Sequence, residues 1–166
     1  MRTFGAIGAA FITLLAGAVS ATAEPSFLIT QTTIGGARLG QHAKAYRTLF
    51  GTPLTGELQG GYTRLTFEKL GVEVYFRKGK DAGIDINTWG RAFRTPEGVG
   101  PCSPAKALLA AYQPQLVRVG GTGPIVLYRD GNLVFRVFRN TVAAVTLGTG
   151  KLATMIAGNS QDCGQP

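Results

Sequence analysis

Histidine is almost absent from this chain of 166 residues, which contains only one, His42. A hydrolytic triad needs a base beside its nucleophile, so a single histidine leaves little room for one. A metal site needs several clustered ligands, and the closest carboxylates, Asp81 and Asp85, have the character of turn residues. We therefore expect His42 to be a surface or capping residue, and we expect no enzymatic activity, no metal and no cofactor.

Cysteine is also scarce, since the chain has only Cys102 and Cys163. A lone pair of cysteines in an exported chain is typical of a disulfide. Such a bridge would hold the C-terminal tail against the start of the second predicted helix. In the alternative interpretation, Cys102 is a nucleophile whose thiol pKa is lowered at a helix N-terminus.

Long apolar runs are missing after the first residues. Residues 1–23 contain the basic Arg2, an apolar stretch over 4–19 and the small-x-small pattern Ala21-Thr22-Ala23. This pattern predicts a signal peptide cleaved before Glu24, although an uncleaved anchor is the alternative. We expect a secreted or periplasmic protein whose residues 24–166 form a single compact domain with no transmembrane segment.

Acidic residues are few, with 9 Asp and Glu against 17 Lys and Arg, which gives a formal net charge of +8. Cleavage before Glu24 would remove one positive charge, that of Arg2, and leave +7. A basic exported protein meets envelope proteins, lipid headgroups and anionic cell-wall polymers rather than nucleic acid. The positive charges are scattered, which is typical of a solvated surface and leaves a dedicated polyanion site as the alternative.

An internal repeat is the main positive feature of the sequence. Residues about 34–86 align with residues about 96–147 at a constant offset of 62. The matched pairs include Lys44 with Lys106, Phe50 with Tyr112, Leu65 with Leu127, Val72 with Val134, and Phe76 with Phe138. Self-similarity at a fixed period predicts two related structural units in one protein.

Each repeat is predicted to contain one helix followed by three antiparallel strands. Ser103 is the expected cap of the second helix, and Pro104 its first residue. We expect a loop over 54–61 and a short leading strand near 27–29. The predicted helices cover 41–50 and 105–112, and the predicted strands cover 62–67, 72–76, 83–86, 125–128, 133–138 and 142–147.

These elements predict an α+β fold. Two units side by side would form one curved sheet with both helices on one face. A helix covers only one face of such a sheet, so the other face is expected to be open to solvent or to a partner.

The pattern of glycine, helix, large residue-glycine-x-proline and a strand after a turn resembles a known family. It is similar to the tandem β-lactamase-inhibitor-protein fold, and each unit is similar to the small lipoprotein of the β-barrel assembly machinery. The residues that carry the resemblance are 36–40, 46–53 and 71–76. The resemblance implies a non-catalytic protein-binding scaffold that uses its open sheet face.

Side-chain alternation supplies the candidate binding residues. If Leu65 and Val74 face the helix, then Tyr62, Arg64, Tyr75 and Arg77 point outward, and the repeat sends Tyr128, Phe135 and Val137 outward in the second unit. Tyrosine and arginine are enriched at binding hot spots. The only tryptophan, Trp89, is a further candidate in the segment that connects the repeats.

Arg136 conflicts with this alignment, because the repeat places it where the first unit has the inward-facing Val74. Burying an unpaired arginine is costly. Either Arg136 pairs with a carboxylate, or the second unit buries Leu133, Phe135 and Val137 instead.

The sequence thus favours an exported, non-enzymatic protein-binding scaffold, inhibitor-like or envelope-assembly-like, whose partner is an envelope or extracellular protein. The alternative is a basic envelope protein that binds cell-wall polymer or another polyanion.

Overall fold

The computed structural model describes residues 27–148 together with Cys163. The predicted signal peptide and most of the predicted C-terminal tail lie outside the described residues. The elements, in chain order, are β1 (Phe27–Leu28), α1 (Ala43–Phe50), β2 (Leu54–Leu58), β3 (Tyr62–Phe67), β4 (Val72–Arg77), β5 (Gly83–Thr88), β6 (Phe93–Arg94), α2 (Ala105–Tyr112), β7 (Val117–Gly120), β8 (Ile125–Asp130), β9 (Leu133–Phe138) and β10 (Thr141–Gly148). Neither described helix has the length and apolarity needed to cross a membrane.

The α+β class is confirmed. Eight of the described strands form one antiparallel sheet in the order β2-β3-β4-β5-β10-β9-β8-β7, and β1 pairs with β6 in a small parallel sheet. The order of the large sheet is symmetric about its central β5–β10 pair, so each half contributes four strands.

The prediction of three strands per unit is wrong because β2 and β7 were not anticipated. The segment that forms β2 contains Gly56 and lies between a proline and a glycine pair, which is a loop-like composition. In the structure it pairs with β3 over five consecutive residues. Strand formation here depends on the neighbouring strand rather than on local preference.

The constant offset of 62 holds for the helices but not for the strands. The first residues of the helices, Ala43 and Ala105, are 62 apart. The first residues of β3 and β8, Tyr62 and Ile125, are 63 apart. Those of β4 and β9, Val72 and Leu133, are 61 apart. The offset changes because the two hairpins differ in loop length: four residues join β3 to β4, but two join β8 to β9. A shift of one residue moves every side chain of a strand to the opposite face.

The hydrophobic core lies between the helices and one face of the sheet. Tyr46 and Phe50 of α1 contact Phe76 and Phe67, with ring centroids 5.8 and 5.3 Å apart. Tyr112 of α2 contacts Phe135, with centroids 5.1 Å apart. Cross-strand pairing places these phenylalanines on the same face, which we call the helix face.

The second unit is therefore oriented differently from the prediction. Phe135 is fully buried in the core, and Tyr128, its cross-strand partner, is half-buried against the same core. The expectation that Tyr128, Phe135 and Val137 point away from the helix is wrong. Of the two alternatives for Arg136, the second holds, because Leu133, Phe135 and Val137 fill the core and Arg136 lies on the opposite face.

The caps of the helices also differ from the prediction. The Ser103 hydroxyl accepts a hydrogen bond from the Gly100 amide at 3.0 Å and makes no cap on α2. The cap of α1 comes from a distant turn, where Asp81 Oδ1 accepts a hydrogen bond from the Ala43 amide at 3.0 Å. His42 is exposed beside this cap, with Nδ1 3.1 Å from Asp81 Oδ2.

The predicted disulfide is confirmed. Cys102 and Cys163 are bonded, with Cα atoms 5.3 Å apart and a sequence separation of 61. The Cys102 amide also donates a 2.7 Å hydrogen bond to the Val142 carbonyl of β10. The Cys102 sulfur is therefore in a structural bridge next to the sheet and is not a free thiol.

Candidate binding surface

Strands β2 to β4 present a continuous surface on the sheet face opposite the helices. Alternation and register assign nine side-chain positions to it, which we call the β2–β4 surface. These positions are Leu54, Gly56 and Leu58 of β2, Tyr62, Arg64 and Thr66 of β3, and Glu73, Tyr75 and Arg77 of β4.

The structure brings together four of the residues selected from the sequence. Tyr62 is the direct cross-strand partner of Arg77, and Arg64 is that of Tyr75. Directly opposed side chains on one face lie about 5 Å apart at Cβ. These four residues thus form one patch.

Exposure across the patch is uneven. Arg77 is exposed and Tyr62 is half-buried, and the Arg64 side chain keeps 35% of its accessible surface. Tyr75, by contrast, is only 1% exposed, so the expectation that it faces solvent is wrong. Tyr75 can hold its neighbours in position, but its ring is not accessible to a partner in this conformation.

A buried carboxylate organises the centre of the surface. Glu73 is 1% exposed, and its carboxylate lies 3.0 Å from Arg64 Nη1 while accepting a hydrogen bond from the Tyr75 hydroxyl. Burial, reinforced by the Glu73 carboxylate, raises the pKa of the Tyr75 phenol far above its usual value. The phenol therefore stays protonated and keeps donating, which holds Glu73 and Arg64 in place.

Gly56 leaves one side of the Arg64 guanidinium uncovered. It is the direct cross-strand partner of Arg64, and a Cβ atom added to it would lie 3.9 Å from Arg64 Nη2. Arg64 Nε is buried without a hydrogen-bond partner. The guanidinium is thus fixed by Glu73 from β4 through Nη1, and its Nη2 lies on the side of Gly56 in β2.

The surface is electropositive on its exposed side. Its nine positions contain two guanidinium groups, those of Arg64 and Arg77, and one carboxylate, the buried Glu73. The nearby Glu57 projects to the other face of β2, where its carboxylate lies 3.0 Å from Lys78 Nζ. A ligand that contacts this surface would therefore meet positive charge.

Beyond β4, the same face becomes a buried polar layer. Asn87 on β5 is 1% exposed and accepts a 3.0 Å hydrogen bond from the Thr146 hydroxyl of β10. Farther along, Arg136 is 6% exposed, and its burial lowers the pKa of its guanidinium. This face is thus buried along its centre, and its exposed positions lie toward the two edge strands, with Leu54 of β2 and Val117 of β7 both more than half exposed.

The remaining predicted binding residues do not join the surface. Trp89 is 4% exposed, and its amide donates a 2.8 Å hydrogen bond to the Gly71 carbonyl. A Cβ atom on the adjacent Gly90 would collide with the Leu70 carbonyl, so the chain around Trp89 packs closely. Tyr128 and Phe135 belong to the helix face, as described above.

Sequence reasoning missed Glu73 and the whole of β2. Glu73 could have been found, because it alternates with Val72 and Val74 and so shares a face with Arg64 and Tyr75. The β2 residues gave no comparable signal, since Gly56 interrupts the strand pattern. Within residues 27–148 and Cys163, no group of three or more His, Cys, Asp or Glu side chains is arranged to hold a metal ion.

Comparison with known proteins yields structural likeness only. No protein-family model and no curated protein matches the chain. One similar solved structure is an extracellular protein containing an SCP domain from Bacillus anthracis, with a TM-score of 0.48, 10% identity and coverage of 69% of this chain and 45% of that one. Another is a cysteine-rich secretory protein from Staphylococcus aureus, with a TM-score of 0.44, 12% identity and coverage of 69% and 46%.

This chain spans less than half the length of either structure. Both belong to proteins described as extracellular or secretory, and both differ from the family inferred from the sequence. The predicted resemblance to the β-lactamase-inhibitor-protein fold and to the small assembly lipoprotein is therefore wrong. The turn and core positions that carried it are weakly specific, because many α+β folds place glycine and proline at the ends of helices.

Proposed function

We propose that this chain is an exported, non-enzymatic scaffold that binds an envelope or extracellular protein through the β2–β4 surface. Export rests on the signal-peptide pattern of residues 1–23. The observation that carries the binding role is the patch of Tyr62, Arg64 and Arg77 on one sheet face, held from below by buried Glu73 and Tyr75.

The patch has the composition and rigidity that protein recognition uses. Tyrosine and arginine supply large contact area together with hydrogen-bonding groups. Arg64 is already fixed by Glu73, so a partner would not have to order that side chain on binding. The exposed Leu54, with 59% of its surface accessible, adds an apolar contact at the edge of the patch.

A pair of charge reversals tests this function. Arg77→Glu places a negative charge on the patch, whereas Lys106→Glu makes the same change in net charge at an exposed position of α2, on the helix side. Each immobilised protein is exposed to an extract of exported proteins, and the retained proteins are quantified by mass spectrometry. We expect a specific protein to be retained by wild type and Lys106→Glu but reduced about tenfold or more by Arg77→Glu.

The same two variants, tested for retention on cell-wall polymer, separate the alternative function. A protein that binds cell-wall polymer through its overall positive charge would lose retention on that polymer equally in both variants, and the retention would fall steeply with salt. Protein retention that is unchanged in Arg77→Glu would contradict the proposed surface.

A further inference from the structure

Within residues 27–148, strand β2 is an edge of the large sheet that no further strand covers and no bulge interrupts. It pairs with β3 through five consecutive residue pairs without a bulge, and no described strand lies on its other side. The opposite edge, β7, has a register shift between Arg118 and Gly120. A bulge turns an edge strand away from further pairing, so β7 is protected in a way that β2 is not.

The composition of β2 also leaves it open to pairing. Proteins block edge strands with charged side chains or with proline inside the strand. The only charged residue of β2 is Glu57, whose carboxylate is paired with Lys78, and Pro53 precedes the strand. The outward amide and carbonyl groups of β2 can therefore accept another extended chain.

An added strand would place alternate side chains over Gly56. Gly56 has no side chain, and it lies between the β2 edge and the Arg64 guanidinium. A carboxylate on the added strand opposite Gly56 could reach across to Arg64. The guanidinium is suited to donate to it, because Nη2 lies on the Gly56 side while Nη1 is held by Glu73.

Charge identifies the class of segment that fits. The exposed cations of the β2–β4 surface are Arg64 and Arg77, while its one carboxylate is buried. A second copy of this chain would bring the same two arginines toward this surface, and repulsion between like charges disfavours pairing of β2 with itself. An acidic segment has the complementary charge.

We propose that β2 binds an extended acidic segment of the partner protein as an additional antiparallel or parallel strand, with one carboxylate of the segment on Arg64 above Gly56. This proposal rests on the proposed protein-binding function and specifies its partner class. In this binding mode, main-chain hydrogen bonds supply the affinity. The partner's carboxylate, which lies over Gly56, supplies the specificity.

Three synthetic peptides test the proposal. The first is a seven-residue peptide of alternating valine and glutamate, the second replaces glutamate by lysine, and the third is the acidic peptide N-methylated on every backbone amide. We expect the acidic peptide to bind about tenfold or more tightly than the other two, because they lack either the charge or the backbone donors. In hydrogen exchange, amides of 54–58 should gain protection and those of 117–120 should not.

Matched variants locate the contact. Gly56→Glu would supply a carboxylate to Arg64 from within the chain, so it should lower the affinity for the acidic peptide about tenfold or more. Gly56→Gln carries no charge and should lower that affinity less. Val117→Glu introduces the same charge at an exposed position of the β7 edge and should leave binding unchanged. Gly56 has a negative φ and ordinary space around it, so these variants are expected to fold.

Several results would overturn the proposal: equal binding of all three peptides, protection of β7 instead of β2, or self-association through β2 without peptide binding. Its failure is distinct from failure of the proposed function. If Arg77→Glu still abolishes retention of a natural partner while no peptide protects β2, the protein-binding function stands and strand addition is rejected.

Discussion

At the scale of single residues, the β2–β4 surface depends on one buried charge. Glu73 is 1% exposed and Arg64 is its ion-pair partner, so Arg64 both belongs to the proposed contact patch and neutralises the buried charge of Glu73. Removing one member of such a pair leaves a buried charge uncompensated, which costs more than the pair contributes. Loss of binding in an Arg64 variant would therefore mix recognition with stability.

A double-mutant cycle separates these two contributions. Arg64→Met should lower the free energy of unfolding by about 2–3 kcal/mol, somewhat below the cost for a fully buried pair because Arg64 is partly exposed. Arg64→Met combined with Glu73→Gln should recover most of this loss, since no buried charge remains. Urea unfolding followed by the fluorescence of the single Trp89 measures each variant. Additive effects of the two substitutions would contradict the role assigned to Glu73.

At the scale of elements, prediction succeeded where the sequence carries its own periodicity. The helix over 105–112 and the strands β3, β4 and β9 follow apolar patterns that are visible locally, and the alternation in β3 and β4 correctly placed Tyr62, Arg64, Tyr75 and Arg77 on one face. The predicted side-chain orientation of the second unit was wrong because the shorter β8–β9 hairpin changes the repeat offset from 63 to 61. A constant offset of 62 is the average of these two and puts both strands on the wrong face.

The short β8–β9 turn itself is visible in the sequence. Its loop residues are Gly131 and Asn132, and only Gly131 has a positive φ, of 52°. The Asp-Gly pair does indicate this turn, although Asp130 is the last residue of the strand. The edge strands β2 and β7 could not be predicted in this way, because they depend on the strand beside them for their hydrogen bonds.

A contact between elements gives a pH dependence. The Glu97 carboxylate, located between β6 and α2, accepts a 2.7 Å hydrogen bond from the hydroxyl of Tyr112 at the end of α2. That hydrogen bond lowers the pKa of Glu97 below its usual value. A lowered folded-state pKa stabilises the fold at a pH above the unfolded pKa, which is about 4.3, and this stabilisation is lost as the pH falls through the folded value.

Glu97→Gln should therefore flatten the stability profile on the acid side. We expect wild type to be the more stable of the two near pH 7 and the difference to shrink as the pH falls below about 4. Free energies of unfolding between pH 3 and 7 measure this, with Glu68→Gln in the exposed β3–β4 turn as the control. A difference that stays constant with pH would contradict an ionised Glu97 as the acceptor.

At the scale of the whole molecule, the disulfide joins chain regions that are distant in sequence. It links the start of α2 to Cys163, across a separation of 61 residues that includes the entire second half of the sheet. Closing a loop of this length restricts the unfolded chain and stabilises the fold by about 4 kcal/mol in the chain-entropy model.

The double variant Cys102→Ser/Cys163→Ser should lose about that free energy of unfolding, and wild type treated with reductant should approach the same value. Peptide binding at β2 should be unchanged in the folded fraction, because the bridge lies in the other half. A loss of β2 binding that exceeds the unfolded fraction would indicate coupling between the two halves.

The symmetric strand order has a consequence for assembly. Each half ends in the strand, β5 or β10, that pairs antiparallel with its counterpart at the centre of the sheet. Antiparallel pairing of two equivalent strands is the geometry of a two-fold axis. A single four-stranded unit that associated with its own copy through its last strand would thus generate the same eight-stranded order. Joining the two in one chain frees each half from identity with the other, so that one can keep a regular edge strand beside a cationic patch while the other changes its register.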